Sequence, residues 1–314
     1  MNSGYRQHQE ARGQLSKGYS RLWAVAAGIA AAVFLFPADA FAWGGGAHVY
    51  YGQSVLDQIG FVYASIRPVL ERNPLAFIYG TVGADICVWK RTKKWDKHVH
   101  NWDVAFPLVE RARTDVQRAF AWGYLAHLAA DTVAHNYFVP TQLVKAWNQP
   151  NASHPYWEMR FDAPLLERLG PLALKAHDQH YREVDPWLES IIETPVLPFS
   201  ANKSLFRGML IANTHPKFIQ WVQRQDRVSA RQPDREMAER ARHLALKATR
   251  DFFRNPDRAP ALKNDPTGKD NLAAATGYRI ALKRDGRLPA GAPGVDGRDM
   301  LGVEREFAAT LAGW

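Results

Sequence analysis

The 314-residue chain has a single cysteine, Cys87, so no intramolecular disulfide can staple it. It also lacks a nucleotide-binding glycine loop, an internal repeat and any sustained apolar/polar alternation of the kind that a half-buried sheet demands. No apolar run reaches the ~20 residues needed to span a bilayer. These absences exclude a disulfide scaffold, a repeat array and a Walker-type or Rossmann nucleotide enzyme, and they leave a chain whose periodicity is helical.

What is present starts with a leader. Residues 1–22 are polar and basic, Trp23–Phe36 are nearly all apolar, and Ala40, Phe41 and Ala42 supply the small-x-small pattern cut by signal peptidase. The expectation is a signal peptide over 1–42, export to the periplasm or the medium, and a new terminus at Trp43 whose amine and carbonyl can chelate a metal. The net charge of +9 lies mostly beyond the leader and biases the chain toward anionic partners.

Helical spacing of apolar residues is expected over His48–Ile59, Ala64–Glu71, Val104–Arg113, Asp115 to Pro140, Leu165–His180, Pro186–Glu193, Ser204–Asn213, Lys217–Val228, Glu236–Phe253 and Val303–Leu311. Asp115 reads as an N-cap and Pro140 as a stop. The segment 255–297, rich in Pro, Gly, Asp and Lys, reads as irregular. The fold class is therefore all-α: a single multi-helix domain over 43–254, then an irregular segment and a short C-terminal helix within 255–314.

Within the longest helical pattern, His127, Asp131 and His135 follow one another at intervals of four. At about 100° per residue they share one helix face, and their neighbours are Leu, Ala and Val. A carboxylate and two imidazoles in such company are costly unless paired or bound to a metal, and the trio points to a metal site. Asp85 sits in another apolar stretch, where it needs a partner or caps a helix. The run 90–103 is basic, carries Trp95 and Trp102, and holds His98 and His100. His154, Glu158 and Asp162 again stack at intervals of four; taken alone, they fit a surface helix with an ordinary His–Glu pair. His177, His180, His215 and His243 stand outside any cluster. The gathered candidates offer imidazole and carboxylate but no thiolate. That set suits zinc, and it is too large for one tetrahedral ion.

Taken in order, an aromatic residue at the processed terminus, Gly45-x-x-His48-Val49, an Asp before a His, His-x3-Asp-x3-His and His-x3-Glu resemble the zinc-dependent phospholipase C family. That family includes the Bacillus-type secreted enzymes and the catalytic domain of glycosylphosphatidylinositol-specific phospholipase D, and is distantly similar to the S1/P1 nucleases. The resemblance covers about 43–162 and implies an all-α fold, two or three zinc ions and hydrolysis of a phosphodiester. It assigns one zinc to Asp85, His100, His127 and Asp131, a second to Trp43, His48 and the bridging Asp131, and a third to His135, His154 and Glu158. His100 is preferred to His98 because His100-x-x-Asp103 matches the family pattern. Asp85 is implied as general base. Gly46, Ile86 and Lys97 stand where the Bacillus enzymes place an acid and two aromatics that cradle choline, so an anionic group is expected instead, with Lys90, Arg91, Lys93 and Lys94 nearby. The expected substrate is a phospholipid. The alternatives are a single-strand nuclease, for which the Trp-interleaved basic run would stack bases, and a non-catalytic envelope protein holding structural zinc.

Overall fold

The computed structural model describes residues 45–86, 99–149, 152–192, 198–228, 235–289 and 300–311. The leader, Trp43, Cys87 and the basic residues 90–98, including His98, lie outside them. Among the described residues there is no strand, as expected of an all-α chain. The helices are α1 (Gly45–Asp57), α2 (Arg67–Arg72), α3 (Pro74–Gly83), α4 (Trp102–Arg111), α5 (Asp115–Val133), α6 (Val139–Lys145), α7 (His154–Glu189), α8 (Phe199–Thr214), α9 (Pro216–Val228), α10 (Arg235–Arg254), α11 (Lys269–Asp285) and α12 (Met300–Ala309).

The organising element is α5, which is buried on nearly every side from Ala119 to Val133. A helix apolar all round belongs in the middle of a domain, and α1, α3, α4, α7 and α10 surround this one. Its first turn is capped by Thr114, whose side chain accepts from Gln117 N at 3.2 Å, so the cap falls one residue before the expected Asp115. Two apolar clusters flank it. One gathers Phe77, Phe120, Tyr124, Leu125, Phe252 and Phe253. The other gathers Phe138, Trp157, Phe161, Val303 and Phe307.

Three expectations are corrected. Pro140 does not stop the central helix. The chain passes through a π-turn over Ala134–Phe138 and continues as α6. A proline cannot donate to the carbonyl one turn back, and here that carbonyl, on Asn136, accepts from Asn271 Nδ2 at 3.0 Å instead. The stretches expected over 154–162 and 165–180, with the start of the one expected over 186–193, form one helix, α7, which runs through Pro164, Pro171 and Pro186 and ends at Glu189. All three prolines are exposed, so their rings face solvent rather than the core. The segment expected to be irregular contains α11, whose Ala275 and Leu282 are buried in the second apolar cluster. Small residues on one face of this mostly polar helix bury little area each, which is why its periodicity is faint.

Candidate metal centre

Helix α3 reaches α5 with almost no spacing. A Cβ on Gly80 would lie 2.0 Å from the Phe120 carbonyl oxygen, and one on Gly123 would lie 2.1 Å from that of Phe77. This approach carries the end of α3 and the short 3₁₀ turn Ala84–Ile86 to the C-terminal half of α5, where His127 and Asp131 stand. The Thr81 carbonyl then meets His127 Nδ1 at 2.9 Å. A carbonyl only accepts, so Nδ1 carries the proton and the Nε2 lone pair points away from α3.

That lone pair faces other donors of electrons. His127 Nε2 lies 2.9 Å from His100 Nε2 and 3.0 Å from Asp131 Oδ2. His100 Nε2 is also 3.4 Å from both Asp131 Oδ2 and Asp85 Oδ1, while His48 Nε2 is 3.3 Å from Asp131 Oδ1. The rings of His48 and His127 stack with centroids 3.7 Å apart. All five residues are buried. Neither Asp131 oxygen receives a hydrogen bond of good geometry, and an ionised carboxylate left so in an apolar interior is costly without a cation.

A second group lies one turn further on. His135 Nε2 and His154 Nε2 approach the same Glu158 oxygen, at 3.2 and 2.7 Å, and the other oxygen of Glu158 has no hydrogen-bond donor. His135 Nδ1 meets the Pro266 carbonyl at 2.6 Å, so its proton too is directed away from the cluster. Two atoms bound to one tetrahedral zinc at ~2.0–2.1 Å are about 3.4 Å apart, close to most of these separations. Buried imidazole lone pairs converging on carboxylates, with the His127 and His135 rings each held from behind by a carbonyl, form a donor set that fits zinc.

The electrostatics agree. Burial alone would raise Asp131, yet the imidazoles of His127, His135 and His48 outweigh it and hold the carboxyl well below its ordinary range. Burial, then the neighbouring His127, lowers His48 and keeps it a neutral donor. Glu158 is pushed up to about 8 by burial, with the His135 hydrogen bond opposing, as befits a carboxyl built to share a site with a cation.

Residues 47–201 match the zinc dependent phospholipase C family. The chain carries a zinc-dependent phospholipase C domain. No curated protein and no solved structure matches the chain. The phospholipase C segment contains His48, Asp85, His100, His127, Asp131, His135, His154 and Glu158, and the structure brings all eight into three His/Asp/Glu groupings able to hold metal. Trp43 lies before it and outside the described residues. His177 is buried apart from the clusters, against Tyr79 and Tyr181, and His243 is exposed.

Several contributors have roles that the residue pattern does not show. Asp162 is one. Its carboxylate accepts from Gly46 N at 3.0 Å and from Ala47 N, which seats the first turn of α1 two residues before His48. A Cβ on Gly46 would stand 2.9 Å from Asp162 Oδ1, so a side chain at 46 would have to displace that carboxylate. The stacking of Asp162 with His154 and Glu158 was the available signal, although its role is to hold backbone. The carbonyls of Thr81 and Pro266 could not be found in sequence, because any residue type supplies one. Ile86 is wholly buried in the first apolar cluster.

Proposed function

We propose that the protein is an exported zinc-dependent phosphodiesterase that hydrolyses a phospholipid in the manner of a phospholipase C. The observation that carries this reading is the convergence of buried imidazole and carboxylate groups along one face of α5, within a zinc-dependent phospholipase C domain.

In this reading Asp85, His100, His127 and Asp131 hold one ion, His48, Asp131 and the Trp43 terminus a second, and His135, His154 and Glu158 a third. Bound zinc supplies Lewis acidity toward a phosphoryl oxygen and activates water at neutral pH. Asp131 presents one oxygen toward His48 and the other toward His100 and His127, the disposition a bridging carboxylate requires. Asp85 is the edge of the cluster, with a side chain 10% exposed and Oδ1 3.4 Å from His100 Nε2. From there it accepts the proton of the attacking water as general base. Thr81 and Pro266 keep the two helix imidazoles in the tautomer that binds metal, and burial of the whole cluster strengthens each charge interaction made there.

The basic run 90–97 supplies the anionic preference, and export follows from the leader. No helix among the described residues is long and apolar enough to cross a membrane. The test is hydrolysis by the purified, zinc-loaded protein of phospholipid vesicles and, separately, of single-stranded DNA. Release of phosphorylated headgroup supports the lipase reading. Cleavage of DNA alone replaces it with a nuclease, and full zinc with no hydrolysis of either substrate leaves a structural metal protein. Sequencing the mature terminus checks that Trp43 comes first.

A further inference from the structure

The loop Asp265–Gly268 and the start of α11 lie beyond the residues that match the family, yet they close over one end of the metal cluster. Four contacts define the closure. The Pro266 carbonyl takes His135 Nδ1 at 2.6 Å, and the Asp265 carbonyl accepts from Asn136 Nδ2 at 2.7 Å. Asn271 Nδ2 in turn reaches the Asn136 carbonyl at 3.0 Å and Asn136 Oδ1 at 3.2 Å.

The loop is shaped for this position. Its Asp265 carboxylate accepts from Thr267 N at 2.9 Å and Lys269 N at 3.2 Å, which braces the turn from inside. Gly268 has φ +57, a conformation that L side chains rarely adopt. A Cβ there would also fall 2.2 Å from the His135 carbonyl oxygen and 2.5 Å from its Cβ. Backbone conformation and close approach therefore both require glycine where the loop crosses His135.

His135 is on the π-turn, which leaves the ordinary helical hydrogen-bond ladder. Its ring direction is consequently not set by the helix alone. The Asn136 carbonyl, which Pro140 leaves without its helical donor, accepts from Asn271 instead; the Asn136 side-chain amide donates to the Asp265 carbonyl, and Pro266 fixes the ring proton on Nδ1.

We infer that residues 265–271 are the outer wall of the His135–His154–Glu158 site. They act as positioning residues that hold the His135 tautomer and ring orientation, so zinc affinity at this site depends on a segment outside the matched domain. The inference rests on the proposed function only in taking those three residues as a zinc site.

The test uses the full mature chain with zinc as the only probe. Bound zinc is counted against a competing chelator, and the His135 ring is observed by long-range ¹H–¹⁵N NMR, in wild type, Asn271→Ala and Gly268→Ala. In wild type the ring is protonated at Nδ1 with and without zinc. Asn271→Ala weakens a single zinc by on the order of 10–100-fold and admits the other tautomer in the metal-free protein, with the remaining zinc unchanged. Gly268→Ala loses the same ion more completely; if it fails to fold, Asn271→Ala decides alone. Wild-type zinc affinity with an unchanged tautomer in a folded Asn271→Ala overturns the inference, as does an equal loss of every ion. If His135→Ala removes no zinc from the otherwise wild-type chain, the site assignment itself fails, and that outcome is distinct from failure of the wall.

Discussion

Gly80 and Gly123 meet face to face: a Cβ added to Gly123 would lie 2.8 Å from the Gly80 Cα. This contact sets the distance between α3 and α5 and so places the Thr81 carbonyl against His127. Gly123→Ala should destabilise the protein by at least about 1–3 kcal/mol, the usual cost of overpacking, and weaken zinc binding through the displaced carbonyl. Urea unfolding of the metal-free variant reads the first effect and chelator competition the second. An alanine that costs neither would show that the helices separate freely.

Asp131 and His135 are one turn apart on the central pattern, but they face different groups. In the proposed arrangement Asp131 bridges two ions, and His135 serves one. Asp131→Ala should therefore lose more than one zinc per chain and His135→Ala only one, counted by elemental analysis after dialysis. Equal losses would remove the bridge.

Asp85 is proposed as general base as well as ligand. Asp85→Asn, which keeps an oxygen at the same place but cannot take a proton, should lower kcat by on the order of 10²–10⁴-fold. Full activity with full zinc occupancy would mean that another group accepts the proton.

Asp162 titrates in an unusual range. Burial pushes its carboxyl up to about 7, with the amides of Gly46 and Ala47 pulling the other way. Because the folded value lies above the ordinary aspartate value of 3.8, the native state binds more protons than the unfolded one between about pH 4 and 7. Stability from this group is fully present below that window and falls as pH rises through it. The Asp162 carboxyl carbon followed by NMR in metal-free protein should show a midpoint near 7. A midpoint near 4 would mean that the two amides and the α1 terminus dominate over burial.

The amino-acid sequence by itself determined the all-α class, because apolar residues at helical spacing can bury a face only as helices, and it determined the facing of His127, Asp131 and His135, because intervals of four share a helix side whatever surrounds them. The same local logic placed His154 with Glu158. Where each helix ends was less legible. Pro140 reads as a stop and Pro186 as the start of a separate helix, yet the chain continues through both, at Pro140 because the carbonyl it frees meets Asn271, a partner 135 residues away. Only the tertiary structure decided which donors share a site, since Asp85 meets His100, and His48 meets Asp131, across elements far apart in the chain. Only it gave His135 a backing carbonyl from Pro266, since a main-chain oxygen has no signature in sequence and acquires a role solely from where the fold puts it.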